Sequence, residues 1–469
     1  MTPSNASARL VAAAAVSGPR VVTSAVPAAA AAGIAAYALG GNAFDAALSA
    51  CFLETIALPM KCGLAGDLVA MFRVKAGPLR ALVSVGPGCA AIAQGCKLER
   101  LGPRSVGIPG APDGYATLAG FASLSVERLI QPALRAAEKG LVWTQVGLSY
   151  VHEAAELLQQ QNKTTPYMPG GRIPQPGDLL ELPGLGRLLE RFAKHRAHLF
   201  LHGDGERLVA RLQAAGGLLS IEDMQVRPAR LVDPSAAEMG IGRLFATPSP
   251  TSGTRLLRII GEALRKESSL LEIVRAERVR ENQRGRQTKD DGTSVVTAAD
   301  TEGNAVVVVH SNSFPRFGSG IVLEDGLVLN NRPGRGFDLA APPEAANAPR
   351  AGRVPQTTLH AWALEDQSVL LMGATPGGIN QLPWNSQALM DLMSGASIRE
   401  AVTNPRWAID DQDNVKVEDG ANFPADTSHI KIVPPFSHRS AQQILRIPHT
   451  GLLSAAADPR TDAVALAAY

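Results

Sequence analysis

The chain has 469 residues, of which 45% are hydrophobic and 19% charged, a balance that excludes a disordered or fibrous protein and leaves room for a large core. Forty-five Lys and Arg against 43 Asp and Glu leave a formal net charge of +2. No global field then draws the chain to nucleic acid or to an anionic membrane, and a small-molecule substrate is expected.

The first residues offer only Arg9 ahead of the short apolar stretch Leu10 to Val16, poor material for a signal peptide, and no window approaches a transmembrane span. Cys51, Cys62, Cys89 and Cys96 show no CxxC spacing and no histidine cluster beside them. They read as reduced core thiols, so a cytoplasmic enzyme without metal or cofactor is expected. From Ala25 to Leu58 the sequence is alanine-dense, and Gly40-Gly41-Asn42 predicts two helices joined by a tight left-handed turn. The apolar runs between Leu68 and Val85, separated by Lys-Ala-Gly-Pro, predict a hairpin. Helical patterns dominate from Ala116 to about Leu212. The segment from Arg255 to Arg286 starts helical and turns polar; its Arg275, Arg278, Arg280, Arg284, Arg286 and Lys289 read as a solvated helix end and a mobile linker.

After Gly292 the character changes to β. The runs Ser294 to Ala299 and Ala305 to Ser311 flank a turn in which Gly303 can supply a positive φ. Pairing Asp300 with Asn304 places Thr293 opposite Ser311, with one residue of slip if a bulge forms. A hydroxyl at the first position of a strand, preceded by glycine and faced by a second hydroxyl, suits an N-terminal nucleophile. Threonine Oγ is a weak nucleophile and needs an adjacent base. If the Gly292-Thr293 bond is cut, the freed α-amine, with a typical pKa of about 7.7–8.0, supplies that base on the same residue. By spacing alone, Gly-Thr-Ser could equally begin an ordinary strand.

At this seam the chain resembles the gamma-glutamyltranspeptidases. The resemblance lies in Thr293-Ser294-Val295, Asp300 and Gly303-Asn304-Ala305-Val306, then in Phe317-Gly318-Ser319-Gly320, Leu329-Asn330-Asn331, Thr375-Pro376-Gly377-Gly378, Asn404-Pro405-Arg406 and Ala457-Asp458-Pro459-Arg460. In the first half it includes Gly40-Gly41-Asn42-Ala43, Gly63-Leu64-Ala65-Gly66-Asp67, Val106-Gly107-Ile108-Pro109-Gly110 and Gln131-Pro132-Ala133. It implies an α+β fold, the αββα four-layer sandwich of N-terminal-nucleophile hydrolases. That sandwich would be built jointly by a large fragment, residues 1–292, and a small one, residues 293–469, cut between Gly292 and Thr293 and held together as a heterodimer. By the same resemblance Thr293 is the nucleophile, Ser311 the hydroxyl that orients it, and Gly377 and Gly378 the oxyanion-hole glycines. Consecutive glycines let the main chain approach a tetrahedral oxyanion closely.

The pattern breaks where the family recognises a glutamyl group. The segment Ser84-Val85-Gly86-Pro87-Gly88-Cys89-Ala90 brings no arginine to the family's position, which Val83 occupies, and no acidic residue follows the paired asparagines, where Arg332-Pro333-Gly334-Arg335-Gly336 stands. Thr357 and Thr358 take the place of the family's paired serines, and the asparagine expected near Ser313 matches Asn312 only with a shifted gap. Arg332 suits either a substrate carboxylate or a surface role. His310 and His360 are either proton shuttles or structural histidines. The resemblance implies a hydrolase acting through an acyl-enzyme on a small, non-glutamyl, carboxylated metabolite, with amide or C–C cleavage as in gamma-glutamyltranspeptidase-like enzymes of antibiotic pathways. A true gamma-glutamyl hydrolase or transferase, and an unprocessed binding subunit, stand as alternatives.

Overall fold

The computed structural model describes residues 14–265, 267–282, 292–410, 412–421, 423 and 430–469. The polar segment 283–291, with Arg284, Arg286 and Lys289, and residues 10–13 of the N-terminal stretch lie outside the described residues.

Two seven-stranded sheets, antiparallel throughout, are stacked face to face. The first runs, in spatial order, Val464–Ala468, Arg20–Ser24, Thr293–Asp300, Ala305–Ser311, Asp67–Arg73, Arg80–Ser84 and Ala229–Val232. The second runs Ala15–Gly18, Leu453–Ala457, Gln443–Pro448, Val369–Ala374, Trp362–Glu365, Arg243–Ala246 and Ser235–Glu238. Helices cover both outer faces, and the expected αββα sandwich follows.

The sequence explains the stacking. Ala305-Val306-Val307-Val308-Val309 is buried at every position, as a strand covered on both faces must be. Its β-branched side chains favour the pleat, and alternate ones serve different cores. Val295, Val307 and Val309 join Val69, Leu359, Met372 and Leu445 between the sheets. Val296, Val306 and Val308 face outward onto Ala43–Ala57 and its neighbouring helices. A third core joins Leu256, Ile260 and Leu389 to the outer face of the second sheet. Burying each such side chain contributes about 1.5–3 kcal/mol. Among the described residues no helix is long and apolar enough to cross a membrane.

The helix pair forms as expected over Pro27–Ala38 and Ala43–Ala57, with Gly40 at φ 84° and Asn42 capping the second helix through the N–H groups of Phe44 and Asp45. The hairpin of Asp67–Arg73 and Arg80–Ser84 also forms. Helices fill much of 111–213. The four cysteines are unpaired, three of them buried. The solvated reading of the Leu270–Asn282 helix end holds for Arg280, 46% exposed, but needs correction at Arg278. Arg278 is only 16% exposed, bonding the Asp410 carbonyl at 2.9 Å and pairing with Asp413 at 3.3 Å, while Arg280 pairs with the buried Glu277.

One charged network ties the layers behind the seam. Glu54, fully buried, accepts from Ser24 Oγ at 2.5 Å, from the Ala25 N–H at 2.9 Å and from His310 Nε2 at 2.7 Å, and the Tyr115 hydroxyl meets His310 Nδ1 at 2.6 Å. Burial alone would push this carboxyl up, but the hydrogen bond and charge of His310 hold it below the usual range. Its stabilising share is therefore complete above about pH 4.5 and drains away as pH falls through the depressed value. Replacing Glu54 by Ala strands the buried His310 and Ser24, and a loss of roughly 3–5 kcal/mol is expected. A denaturation midpoint within about 0.5 kcal/mol of the unmodified protein, a change ordinary for surface substitutions, would contradict this role.

Candidate active site

Thr293 begins its strand directly opposite Ser311, with no bulge, as the Asp300–Asn304 turn requires. Both side chains share the inner face of the sheet with Val295 and Val309, so the two hydroxyls point between the sheets. Thr293 Oγ1 donates to Ser311 Oγ at 3.2 Å, and Ser311 Oγ donates to the Gly292 carbonyl at 2.7 Å. The Ser313 N–H donates to Ser311 Oγ at 2.9 Å and fixes it. Ser311 thus polarises the carbonyl of the bond before Thr293.

Gly292 is demanded by this geometry. A Cβ there would lie 1.7 Å from the Ser313 carbonyl oxygen, against backbone that has no room to give. Ser313 itself sits at φ 74°, and its hydroxyl is buried without a partner among the described residues. Asn312 donates from Nδ2 to the Pro59 carbonyl at 2.9 Å, while its Oδ1 is buried with no partner among the described residues.

Gly377 and Gly378 follow the Val369–Ala374 strand of the facing sheet. Gly377 has φ 138°, and a Cβ on it would lie 2.4 Å from the Trp384 ring, so only glycine fits. The loop runs through a short 3-10 turn into the Gln381–Met393 helix. Gln381 Nε2 lies 3.4 Å from both Thr293 Oγ1 and Thr358 Oγ1. Sequence reasoning passed over Gln381; the only signal was a polar residue at the first position of a helix just after the glycine pair.

The two threonines part company. Thr358 reaches Thr293 through Gln381, whereas the Thr357 hydroxyl is fully buried and accepts from the Leu359 N–H at 3.1 Å, inside its own turn. Arg332 is neither on the surface nor open: it is 1% exposed, and its Nε donates to Asp67 Oδ2 at 2.7 Å. Asp67 pairs with Ser311 in the strand register and shares its face, one strand further from Thr293. Two strand spacings put its Cα roughly 10 Å from that of Thr293. Complete burial pushes the Asp67 carboxyl above the usual range even beside Arg332. Arg332 Nη2 is buried with no hydrogen-bond partner among the described residues. Asn330, whose Nδ2 donates to the Ala65 and Gly107 carbonyls, accepts the Arg332 N–H and sets the start of this turn.

The histidines are structural. His310 alternates with Ser311 and faces the helix layer, where Glu54 and Tyr115 hold it on the far side of the sheet from Thr293. His360 Nδ1 meets the Thr358 carbonyl at 2.8 Å and Nε2 meets Asn385 Nδ2 at 2.8 Å. Burial lowers its pKa to about 4. The neutral ring thus donates from Nδ1 and accepts at Nε2. A cavity of about 1040 Å³ lined by Lys163, Arg207, Arg211 and Asp325 includes none of the site residues. A small one beside the site is lined by Arg255, Arg278, Thr358, Gly378 and Leu382. The smaller cavity reaches Thr358 and Gly378 but not Thr293 or Ser311.

A family model described as gamma-glutamyltranspeptidase matches residues 29–269 and 262–468. The oxamate amidohydrolase proenzyme of Klebsiella pneumoniae is 26% identical over 91% of this chain and 94% of its own length. The acylase ACY 1 proenzyme of a Pseudomonas species is 25% identical over 81% of this chain and 80% of its own. Glutathione hydrolase 2 of Arabidopsis thaliana is 25% identical, over 47% of this chain and only 40% of that protein. In fold, the crystal structure of a cephalosporin acylase from Bacillus halodurans superposes with a TM-score of 0.82 over 97% of both chains at 23% identity.

The depressed His360 value carries a sign. Between pH 6.5 and about 4 the unfolded chain takes up a proton that the folded one refuses, so stability falls over that window, by up to about 3 kcal/mol. Replacing His360 by Gln should flatten this part of a stability-against-pH profile; an unchanged slope would show that the ring protonates freely in the fold.

Proposed function

Because the chain belongs to the gamma-glutamyltranspeptidase family, we propose that it is a self-processing threonine hydrolase, cut between Gly292 and Thr293 into fragments 1–292 and 293–469 that remain together as a heterodimer. One observation carries this reading: the relay from Thr293 Oγ1 to Ser311 Oγ at 3.2 Å and on to the Gly292 carbonyl at 2.7 Å. In the intact chain Thr293 Oγ attacks that carbonyl carbon, the C–N bond breaks as the hydroxyl proton passes to nitrogen, and water hydrolyses the ester. Relatives whose names include proenzyme support it.

In the processed protein the α-amine of Thr293 takes the hydroxyl proton as Oγ attacks the substrate carbonyl. The N–H groups of Gly377 and Gly378 hold the oxyanion, where one such donor is typically worth about 3–4 kcal/mol. Collapse expels the leaving group, which recovers the proton, and water releases the acyl part from Thr293. The same oxyanion site would serve a ketone, so hydrolytic C–C cleavage in antibiotic-type metabolism falls within this reading. Four unpaired cysteines suit a reducing, cytoplasmic setting.

The substrate we infer is a short amide carrying a carboxylate rather than a glutamyl group. Arg332 Nη2, buried and unpartnered, supports it: such a donor left unsatisfied costs about 1–3 kcal/mol, which a carboxylate would offset. Asn312, Ser313 and Thr358 would line the remainder of this subsite, while Thr357 holds the turn that presents Thr358. The oxamate amidohydrolase relative makes oxamate and related monoamides of short dicarboxylic acids the first compounds to assay.

On a denaturing gel the mature protein should give bands of about 30 and 19 kDa, proportional shares of the 49.1 kDa chain. Thr293→Ala should leave one band and no turnover above roughly a thousandth of the original. A persisting split, or a new amino terminus other than Thr293, would remove the assignment. For the substrate, Arg332→Lys keeps a cation beside Asp67 but loses the guanidinium fork, so KM for a carboxylated amide should rise about 10- to 100-fold. Hydrolysis of a neutral amide should change little. Robust turnover of a gamma-glutamyl anilide with none of short carboxylated amides would favour the glutamyl alternative.

A further inference from the structure

The buried Gln381 lies at the point where the two sheets bring nucleophile and oxyanion loop together. It opens the Gln381–Met393 helix three residues after Gly378, and its side chain turns back into the site, 1% exposed. Its Nε2 stands 3.4 Å from Thr293 Oγ1 and 3.4 Å from Thr358 Oγ1. The other end of the same amide, Oε1, is buried with no hydrogen-bond partner among the described residues. An amide oxygen kept dry and unsatisfied beside a nucleophile calls for a donor.

In the intact chain the Thr293 nitrogen is an amide with a single N–H, held in the peptide plane. Scission changes its valence: the nitrogen gains protons and rotational freedom while staying within one residue of Oγ1.

We propose that Gln381 is a further catalytic residue of this site, gripping the mature nucleophile at both ends, with Nε2 on the Thr293 hydroxyl and Oε1 on the α-amine that scission creates. This rests on reading Thr293 as the processed nucleophile. The contact to Oε1 orients the amine so that its lone pair faces Oγ1 when it acts as base. It also stabilises the charged form of the amine and so sets the pH at which the base becomes available. Thr358, sharing Nε2, keeps the amide from rotating away.

The test is the acidic limb of the kcat/KM profile, which reports the free enzyme's base, measured on processed protein with oxamate or whichever short amide the wild type hydrolyses. Gln381→Met keeps the volume but removes the acceptor, so the limb should move down by about half to one pH unit. Gln381→Glu places a carboxylate beside the ammonium, so the limb should move up by about one unit or more. Opposite displacements support the proposal. A core-filling role would lower kcat/KM in both variants and leave the limb where it was, and that result would overturn it. Failure of both variants to process would also overturn it, since Gln381 would then serve scission rather than the mature amine. If instead the wild-type chain is not cut before Thr293, the underlying reading fails by itself, whatever these variants do.

Discussion

The strand register that sets Thr293 opposite Ser311 is the constraint on which the site depends. Two hydroxyls on one face of one ladder, set beside valines of their own sheet and facing leucine, methionine and alanine side chains of the other, have a single arrangement available. A slip of the Thr293–Asp300 strand by one residue would turn Thr293 toward the helices, since side chains alternate along a strand. The fold guards against it with a polar tie at depth. Thr23 Oγ1 lies 2.7 Å from Thr297 Oγ1 and donates to Gln443 Oε1 at 2.5 Å, linking neighbouring strands to the facing sheet. Such a network is costly in any other register, because each buried polar atom would lose its partner.

Around this pair the chemistry is divided by layer. The inner face carries the Thr293 and Ser311 hydroxyls, with the Asp67–Arg332 pair one strand beyond Ser311. The outer face of the same strands carries the Glu54–His310 pair, fully buried. The histidine next to Ser311 in sequence is thus separated from it by the thickness of the sheet. Under the proposed processing, the base beside the hydroxyl would be the threonine's own nitrogen, and Gly377 and Gly378 would add backbone donors that need no side-chain ordering.

Much of this was legible in the sequence where the contacts are local. The turn at Asp300–Asn304 gave the register by counting, Asn42 marked the start of a helix, and the run Ala305 to Ser311 read as a strand. The collinear motifs announced the family. What could not be read were pairings between distant segments. Arg332 finds Asp67 from 265 residues away, and Glu54 finds His310 from 256. Both partners stood inside recognisable stretches, yet nothing in their spacing says that they touch. Gln381 escaped for a different reason: a glutamine at a helix start looks like ordinary helix chemistry until the fold turns its side chain inward. The Arg278 side chain departs from expectation because a charged residue on a polar helix end is usually solvated, whereas here Asp410 and Asp413 hold it.

The alternation of strands has a topological consequence. In both sheets, strands from ahead of Gly292 and strands from behind it are interleaved: Arg20–Ser24 lies between Val464–Ala468 and Thr293–Asp300, and Leu453–Ala457 is flanked on one edge by Ala15–Gly18. Neither portion owns a complete sheet or a closed core. A cut at that glycine would free a chain end without freeing a piece, so the two polypeptides could part only by global unfolding. Maturation would then be a unimolecular, one-way event, its half-time indifferent to protein concentration, and fragments from different molecules would not shuffle.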